Sequence, residues 1–172
     1  DATIQLVSFD IFDTLIERKT ENAAQVFELM STQVSHLTKG KITAFKLLRT
    51  FAEQEARRKA KQDNRHEIRF EEIYAMMVEM GALTPSEADT IFGLELETEK
   101  KLLAPRIAGI RLLQAAKKAG KRIVLISDMY HTTSTIESWL KTLNVPSYDH
   151  LYLSSDIGLR KVDGELFRYA LA

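Results

Sequence analysis

The sequence contains no cysteine, only three prolines among its 172 residues, and no excess of charge of either sign. Without cysteine the chain can form neither a disulfide framework nor a zinc–thiolate site, and it has no thiol nucleophile. Lys and Arg together number 24, as do Asp and Glu, so the formal net charge is zero. Proteins that bind nucleic acid are usually basic, and the balanced charge argues against that class.

Long apolar runs are also missing. No stretch of the sequence is apolar over the length that a membrane span needs, and no signal peptide is visible. Apolar residues nevertheless make up 45% of the chain, which is enough for a packed core. We therefore expect a protein without membrane insertion that resides in the cytoplasm.

The pattern of apolar residues divides the chain into three regions. The first is a short run, "IQLVSF" (4–9), which is typical of a strand buried in a parallel sheet. A long helical region follows, in which Thr84, Pro85 and Glu87 form the pattern of an N-terminal capping box. In the last region the strands "KRIVLISD" and "DHLYLSS" alternate with helices, which indicates a βαβ arrangement.

This order predicts an α/β protein with a parallel sheet that is interrupted by a helical insert. Residues 1–16 and 104–172 are expected to form the α/β core, and residues 17–103 the insert. The insert begins at the carboxyl end of the first strand, which is the end where open α/β sheets bind ligands. Its position predicts that it covers a binding site.

Polar residues follow each of the three predicted strands. They are Asp10 and Asp13 after the first strand, Ser127 and Asp128 after the second, and Arg160 and Lys161 after the third. Parallel strands would bring these residues to one edge of the sheet. A carboxylate that attacks phosphorus, a hydroxyl that binds a phosphoryl oxygen and an ammonium that offsets charge suit phosphoryl transfer. Each residue also has a structural interpretation as a turn residue, a cap or a solvated side chain.

The segments "SFDIFDTL", "VLISDMY" and "GLRKVDGELF" resemble the first three motifs of the haloacid dehalogenase (HAD) superfamily, in the same order. The resemblance implies a Rossmann-like parallel sheet, with the helical insert as a type 1 cap. It also implies that Asp10 is the nucleophile, that Ser127 binds the phosphoryl group and that Lys161 orients Asp10.

Most members of the superfamily are phosphatases that depend on Mg²⁺. The resemblance therefore implies Mg²⁺ as cofactor, with Asp10 and the Phe12 carbonyl as ligands. The expected substrate is a small phosphorylated metabolite or sugar phosphate, and the expected intermediate is an aspartyl phosphate at Asp10. Asp128, Arg18 and Lys19 are further candidates for substrate binding, although a solvated hinge explains Arg18 and Lys19 equally well.

The sequence departs from the phosphatase pattern at Phe12. The family's acid–base Asp stands two residues after the nucleophile, but this chain has Phe12 there and Asp13 one position later. In a strand, a shift of one residue moves a side chain to the opposite face. We therefore expect Asp13 to act as the acid–base group only if the backbone coils. Dehalogenases of the family also lack this Asp, so attack on carbon by Asp10 without a metal is the alternative activity.

The family's fourth motif, a strand followed by acids that bind Mg²⁺, has no counterpart after Lys161. From this we expect a C-terminally incomplete core, weak Mg²⁺ binding, and an edge position for the strand Ile4–Phe9. The variant "FDIFDTL" is similar to predicted HAD domains associated with glycosyltransferases. A catalytically silent module that accompanies a glycosyltransferase is therefore a third hypothesis.

Overall fold

The computed structural model of the chain describes residues 3–171; Asp1, Ala2 and Ala172, at the ends of the predicted core segments, lie outside the described residues. The chain divides into two compact units. The first combines the residues up to Glu17 with those from Leu103 onward, and the second contains Arg18–Leu102. In chain order the elements are β1 (Leu6–Phe9), β2 (Ile16–Arg18), α1 (Gln25–Leu37), α2 (Phe45–Gln62), α3 (Phe70–Glu79), α4 (Pro85–Leu102), β3 (Leu103–Pro105), α5 (Ile107–Lys118), β4 (Arg122–Ser127), α6 (Thr133–Thr142), β5 (His150–Leu153), α7 (Ser154–Ile157) and α8 (Glu165–Leu171).

The first unit is built on a parallel sheet with the strand order β1-β4-β5. Leu6 lies opposite Arg122 in the β1–β4 pair, and Val124 lies opposite His150 in the β4–β5 pair. The central strand β4 is buried at every residue after Arg122, as expected for an aliphatic strand with neighbours on both sides. The predicted α/β class with a parallel sheet is confirmed.

The outer strand β1 is less buried than the sequence suggested. Within the described residues β1 pairs only with β4, so the predicted edge position is confirmed. Ser8 is exposed and the other three residues of β1 are half-buried. The prediction of a buried strand that begins at Ile4 is wrong, because the strand begins at Leu6 and, within the described residues, has a neighbouring strand on one side only.

One face of the sheet packs against α8. Val124 and Ile126 alternate along β4 and therefore point to the same side, where they meet Leu166 and Ala170 of α8. The two helical residues are four positions apart and lie on one face of α8. This cluster attaches the C-terminal helix to the strand that precedes Ser127.

The second unit consists of the four helices α1 to α4. Within it α1 packs against α2 and α4, and α3 packs against the same two helices. The predicted capping box at α4 is confirmed, because the Thr84 amide donates to Glu87 at 2.7 Å and the Glu87 amide donates to the Thr84 hydroxyl at 3.2 Å. Among residues 3–171, no helix combines the length and the hydropathy that crossing a membrane requires.

A buried charge network lies inside this helical unit. The Arg49 guanidinium donates to Glu95 at 2.9 Å and to Glu53 at 2.9 Å, and the Tyr74 hydroxyl also donates to Glu95. The centroid of the Phe27 ring lies 4.6 Å from the guanidinium carbon of Arg49. Burial raises the pKa of Glu95, and the charge of Arg49 opposes that shift. Both carboxylates therefore accept a hydrogen bond from the Arg49 guanidinium.

Two short strands lie where the chain passes between the units. Ile16–Arg18 (β2) and Leu103–Pro105 (β3) form a two-stranded sheet. The sequence pattern predicted helix up to residue 103 and no strand in this region. Strands of three residues are too short to show an alternating pattern, so only the pairing itself reveals them.

Candidate active site

Asp10 follows β1 directly, and both oxygens of its carboxylate accept hydrogen bonds. Oδ1 accepts from the Ile11 amide at 2.8 Å, and Oδ2 accepts from Lys161 Nζ at 2.6 Å. The side chains of Asp10 and Lys161 are 42% and 21% exposed, respectively. The structure thus brings together the predicted nucleophile and the predicted cation, and it leaves the carboxylate open to a ligand.

The backbone coils immediately after Asp10. The Leu15 and Ile16 amides donate to the Ile11 carbonyl at 2.8 and 3.1 Å, and the Asp13 amide donates to the Ile16 carbonyl at 2.8 Å. Asp13 has a φ of 57°, in the left-handed region. The alternation of a strand therefore does not extend to Asp13, which lies exposed on the turn. The coiled backbone that an acid–base role of Asp13 requires is present, while the role itself stays a prediction.

The first turn of α5 supports this coil. The Arg106 amide donates to the Leu15 carbonyl at 2.9 Å, and the Arg106 guanidinium donates to the Asp13 carbonyl. A Cβ atom on Gly109 would lie 1.7 Å from the Thr14 carbonyl oxygen. Only glycine permits this approach, so Gly109 helps to set the path of the chain after Asp10. Sequence reasoning missed Gly109, although an isolated glycine within a helical pattern is a recognisable signal.

Ser127 is the last residue of β4 and is buried. Phe9 lies opposite Leu125, so Ser127 is two positions beyond the partner of the last residue of β1. Asp10 and Ser127 therefore lie at the same edge of the sheet, as the sequence predicted from parallel strands. Substrate binding by Ser127 stays a prediction.

Asp128 contacts the backbone of Lys161. Its Oδ1 and Oδ2 atoms lie 2.9 and 3.2 Å from the Lys161 amide nitrogen, in a bifurcated hydrogen bond. Sequence reasoning assigned Asp128 to substrate binding, and no pattern in the sequence indicates its contact with a residue 33 positions away.

His131 lies in the interior of the first unit. The centroid of its ring lies 4.8 Å from the ring centroid of Tyr130 and 4.8 Å from that of Trp139. Thr132 caps the following helix α6 by accepting from the Thr135 amide at 3.3 Å. Aromatic packing therefore buries the His131 ring, and the next residue along the chain forms the cap of α6.

Arg18 and Lys19, the candidates for binding an anionic substrate, belong to the second unit. Arg18 Nε donates to Glu99 at 2.9 Å, and Glu99 is buried. The Lys19 amide donates to the Leu102 carbonyl at 2.8 Å, and its side chain is exposed. The Arg18 guanidinium is therefore part of an ion pair within the helical unit. Binding of substrate by either residue stays a prediction.

The residues around Asp10 do not by themselves fit a Mg²⁺ site. Mg²⁺ requires near-octahedral oxygen coordination, with one or two carboxylates in addition to substrate or water oxygens. The part of the chain that the structure describes contains no cluster of three His, Asp or Glu residues able to hold a metal ion. The Asp10 carboxylate is also engaged by Lys161 and by the Ile11 amide. Asp10 and the Phe12 carbonyl alone are too small a ligand set.

Solved structures of dehalogenases share this fold. A dehalogenase with an intermediate complex is 13% identical, with a TM-score of 0.55, and the match covers 98% of this chain and 70% of that one. A second dehalogenase structure is 14% identical, with a TM-score of 0.53 and coverages of 99% and 71%. The L-2-haloacid dehalogenase RSc1362 is 17% identical, with a TM-score of 0.53 and coverages of 98% and 71%.

These similarities define the fold of the chain as HAD-like. No protein-family model and no curated protein matches the sequence. At identities of 13–17% the structural similarity concerns the fold alone.

Proposed function

We propose that the chain is a hydrolase in which Asp10 is the nucleophile and forms a covalent intermediate with its substrate. The contact of 2.6 Å between Lys161 Nζ and Asp10 Oδ2 is the main support for this proposal. The Asp10 carboxylate that this contact fixes lies at the carboxyl edge of a parallel sheet, and its side chain is still 42% exposed. A fixed and accessible carboxylate is the arrangement that covalent catalysis by Asp requires.

The same contacts suit the breakdown of an Asp10 ester. In the first step an Asp10 oxygen attacks an electrophilic atom of the substrate, and the leaving group departs with the bonding electron pair. Where that atom is carbon, the intermediate is an Asp10 ester, and water attacks its carbonyl carbon and places negative charge on the carbonyl oxygen. The attacking water loses a proton to solvent, and the product departs as the alcohol. The Ile11 amide donates to one Asp10 oxygen and the Lys161 ammonium to the other, so either oxygen keeps a donor in this step.

The residues near Asp10 favour a leaving group that departs without a proton. Phe12 occupies the position where the family's phosphatases have their acid–base Asp, and a phenyl group cannot protonate an alkoxide. A halide ion needs no proton. We therefore propose hydrolysis of a 2-haloacid as the first activity, in line with the dehalogenases that share the fold. Substrate and water give the hydroxy acid, a halide ion and a proton.

A phosphatase is the second candidate, and the coil after Asp10 favours it. Asp13 is exposed and has a left-handed backbone conformation, and its side chain in the protonated form can donate a proton to an alkoxide that leaves phosphorus. The substrate would be a small phosphorylated metabolite or sugar phosphate, and Asp10 would become an aspartyl phosphate. The leaving alkoxide takes the proton from Asp13 and departs as the alcohol. Water then attacks the phosphorus of the aspartyl phosphate, gives a proton to Asp13, and the bond between Asp10 and phosphorus breaks to release phosphate.

Two product assays separate these activities. Release of chloride from L- and D-2-chloropropionate, unaffected by EDTA, would support the dehalogenase. Release of phosphate from a panel of sugar phosphates, dependent on added Mg²⁺, would support the phosphatase. Asp10→Asn is the control for both assays, and turnover that persists in this variant would contradict the proposal.

A further substitution tests the role of Phe12. Phe12→Asp supplies the acid that the phosphatase pattern has at this position, and we expect it to raise phosphate release if Asp13 does not already act there. A folded protein without turnover in either assay would instead favour the catalytically silent module. Association with a glycosyltransferase and residence in the cytoplasm stay predictions.

A further inference from the structure

Hydrogen bonds join the segment after β4 to the segments that follow β5. Ser154 Oγ accepts from the Met129 amide at 2.9 Å, and Ser155 Oγ donates to the His131 carbonyl at 2.8 Å. The bifurcated bond from the Lys161 amide to Asp128 continues this series toward Asp10. These contacts therefore link the segment after β4 to the chain that follows β5, and the bond to Asp128 is the one that reaches Lys161.

We propose that Asp128 is a positioning residue that fixes Lys161 against Asp10, and this inference rests on the proposed role of Asp10 as nucleophile. Lys161 is held at both ends, because its amide donates to Asp128 and its Nζ donates to Asp10. The loop around it has glycines with positive φ on both sides, Gly158 at 79° and Gly164 at 73°. The Asp128 carboxylate holds the backbone of this loop at Lys161 itself, the residue whose side chain contacts Asp10.

The contact requires an oxygen at position 128 that accepts a hydrogen bond. A carboxylate and a side-chain amide both provide such an oxygen. Both oxygens of Asp128 face the same amide, at 2.9 and 3.2 Å. An anionic substrate would be repelled by the Asp128 carboxylate, which makes direct substrate binding by this side chain unfavourable.

The test compares Asp128→Ala with two matched variants. Asp128→Asn keeps an oxygen that can accept from the Lys161 amide. Asp163→Ala removes an exposed carboxylate from the same loop, two residues beyond Lys161. With the substrate on which the wild type is active, we expect Asp128→Ala to lower kcat by about 10- to 100-fold, because small displacements of a catalytic group are costly. KM should change little, Asp128→Asn should retain most of the activity, and Asp163→Ala should match the wild type.

A measurement on the free protein separates this inference from the proposed activity. Hydrogen exchange of the Lys161 amide, followed by NMR, should accelerate by about tenfold or more in Asp128→Ala, because the lost bond protects this amide. It should stay slow in the other two variants. This result would support the positioning contact even if neither substrate class were turned over.

Four outcomes would overturn the inference. They are unchanged exchange in Asp128→Ala, a rise in KM with kcat intact, equal losses in Asp128→Ala and Asp128→Asn, and equal losses in Asp128→Ala and Asp163→Ala. A rise in KM alone would restore the assignment of Asp128 to substrate binding. If Asp128→Ala does not fold, Asp128→Asn provides the test of the positioning role. Faster exchange of the Lys161 amide in that variant, or a loss of activity greater than tenfold, would contradict the role.

Discussion

The two units each contain an ion pair within hydrogen-bond distance, but the pairs differ in solvent access. In the helical unit the side chains of Arg49 and Glu95 are both 0% exposed. In the α/β unit Asp10 and Lys161 are 42% and 21% exposed. The enclosed pair has no room for a third molecule, whereas the open pair can meet a substrate. Solvent access, rather than the contact distance, separates the pair proposed to react from the pair that supports the fold.

The two ion pairs should also differ in how much they contribute to the stability of the protein. Removing one partner from a buried ion pair leaves an uncompensated charge in the interior, whereas water compensates a charge at a half-exposed site. The pair in the helical unit should therefore control stability, and the pair in the α/β unit should control activity. The following substitutions test this contrast.

The largest effect is expected for Asp10→Asn. The change is nearly isosteric but removes the nucleophilic charge, so turnover should fall by about 10³-fold or more. Stability should change by no more than about 0.5 kcal/mol, as for most substitutions at sites that water reaches. Turnover assays and urea unfolding measure the two quantities. A large loss of stability with activity retained would reverse the proposed contrast.

The opposite pattern is expected for Arg49→Met. It leaves Glu95 buried without its partner, and the helical unit should lose about 3–5 kcal/mol of unfolding free energy. Replacing Glu95 by Leu in the same protein should recover part of that loss. Arg58→Met is the control, because its pair with Glu55 lies on the surface, where water screens the charges, and its loss should barely change stability. Equal losses from both arginines in urea unfolding would contradict the argument.

A smaller loss of stability is expected for Gly109→Ala, together with a loss of activity. The new Cβ would lie 1.7 Å from the Thr14 carbonyl oxygen, so the turn after Asp10 must shift. Overpacking of this kind costs about 1–3 kcal/mol. Turnover should fall by up to about 100-fold, because the shift displaces the nucleophile.

A second helical glycine provides the control for that substitution. A methyl group on Gly93 would have no neighbouring atom within 4 Å, so Gly93→Ala should stabilise α4 slightly. Thermal unfolding of both variants checks the expected difference in sign. A stable and fully active Gly109→Ala protein would show that the turn does not depend on α5.

The smallest effect is expected at the exposed capping box. Hydrogen bonds from the Thr84 amide, the Lys41 ammonium and the Thr84 hydroxyl lower the pKa of Glu87 from 4.5 to about 2. Because the folded-state pKa is the lower one, the contribution to stability is present above pH 4.5 and is lost as the pH falls through about 2. Glu87→Gln should remove this pH dependence. Urea unfolding of both proteins between these pH values measures it, and parallel curves would contradict the assignment.

Local signals in the sequence predicted a large part of the fold. The aliphatic run of β4 and the Thr84 capping box each depend on residues that lie close together in the sequence, and both are present in the structure. The position of Asp10 and Ser127 at the same edge of the sheet also followed from the parallel arrangement of the strands, because the carboxyl ends of parallel strands lie at one side of a sheet.

Contacts between distant residues could not be predicted in the same way. Arg18 pairs with Glu99, 81 positions away, and Asp128 contacts Lys161, 33 positions away. Neither pairing leaves a periodic pattern in the sequence. Asp13 shows a related limit, because the strand pattern gave no sign that the backbone turns directly after Asp10. The sequence thus identified candidate groups, and only the tertiary structure identified their partners.

The insertion of the helical unit into the α/β unit has a consequence for the order of folding. β1 pairs with β4, and more than a hundred residues separate Leu6 from Arg122. Once the helical insert has formed, the Lys19 amide and the Leu102 carbonyl lie 2.8 Å apart, so only short segments remain to be closed before β1 can meet β4. The shorter loop lowers the entropic cost of closure by about 1 kcal/mol. Since helices with local contacts also form fastest, the insert should fold first and serve as the nucleus for the sheet.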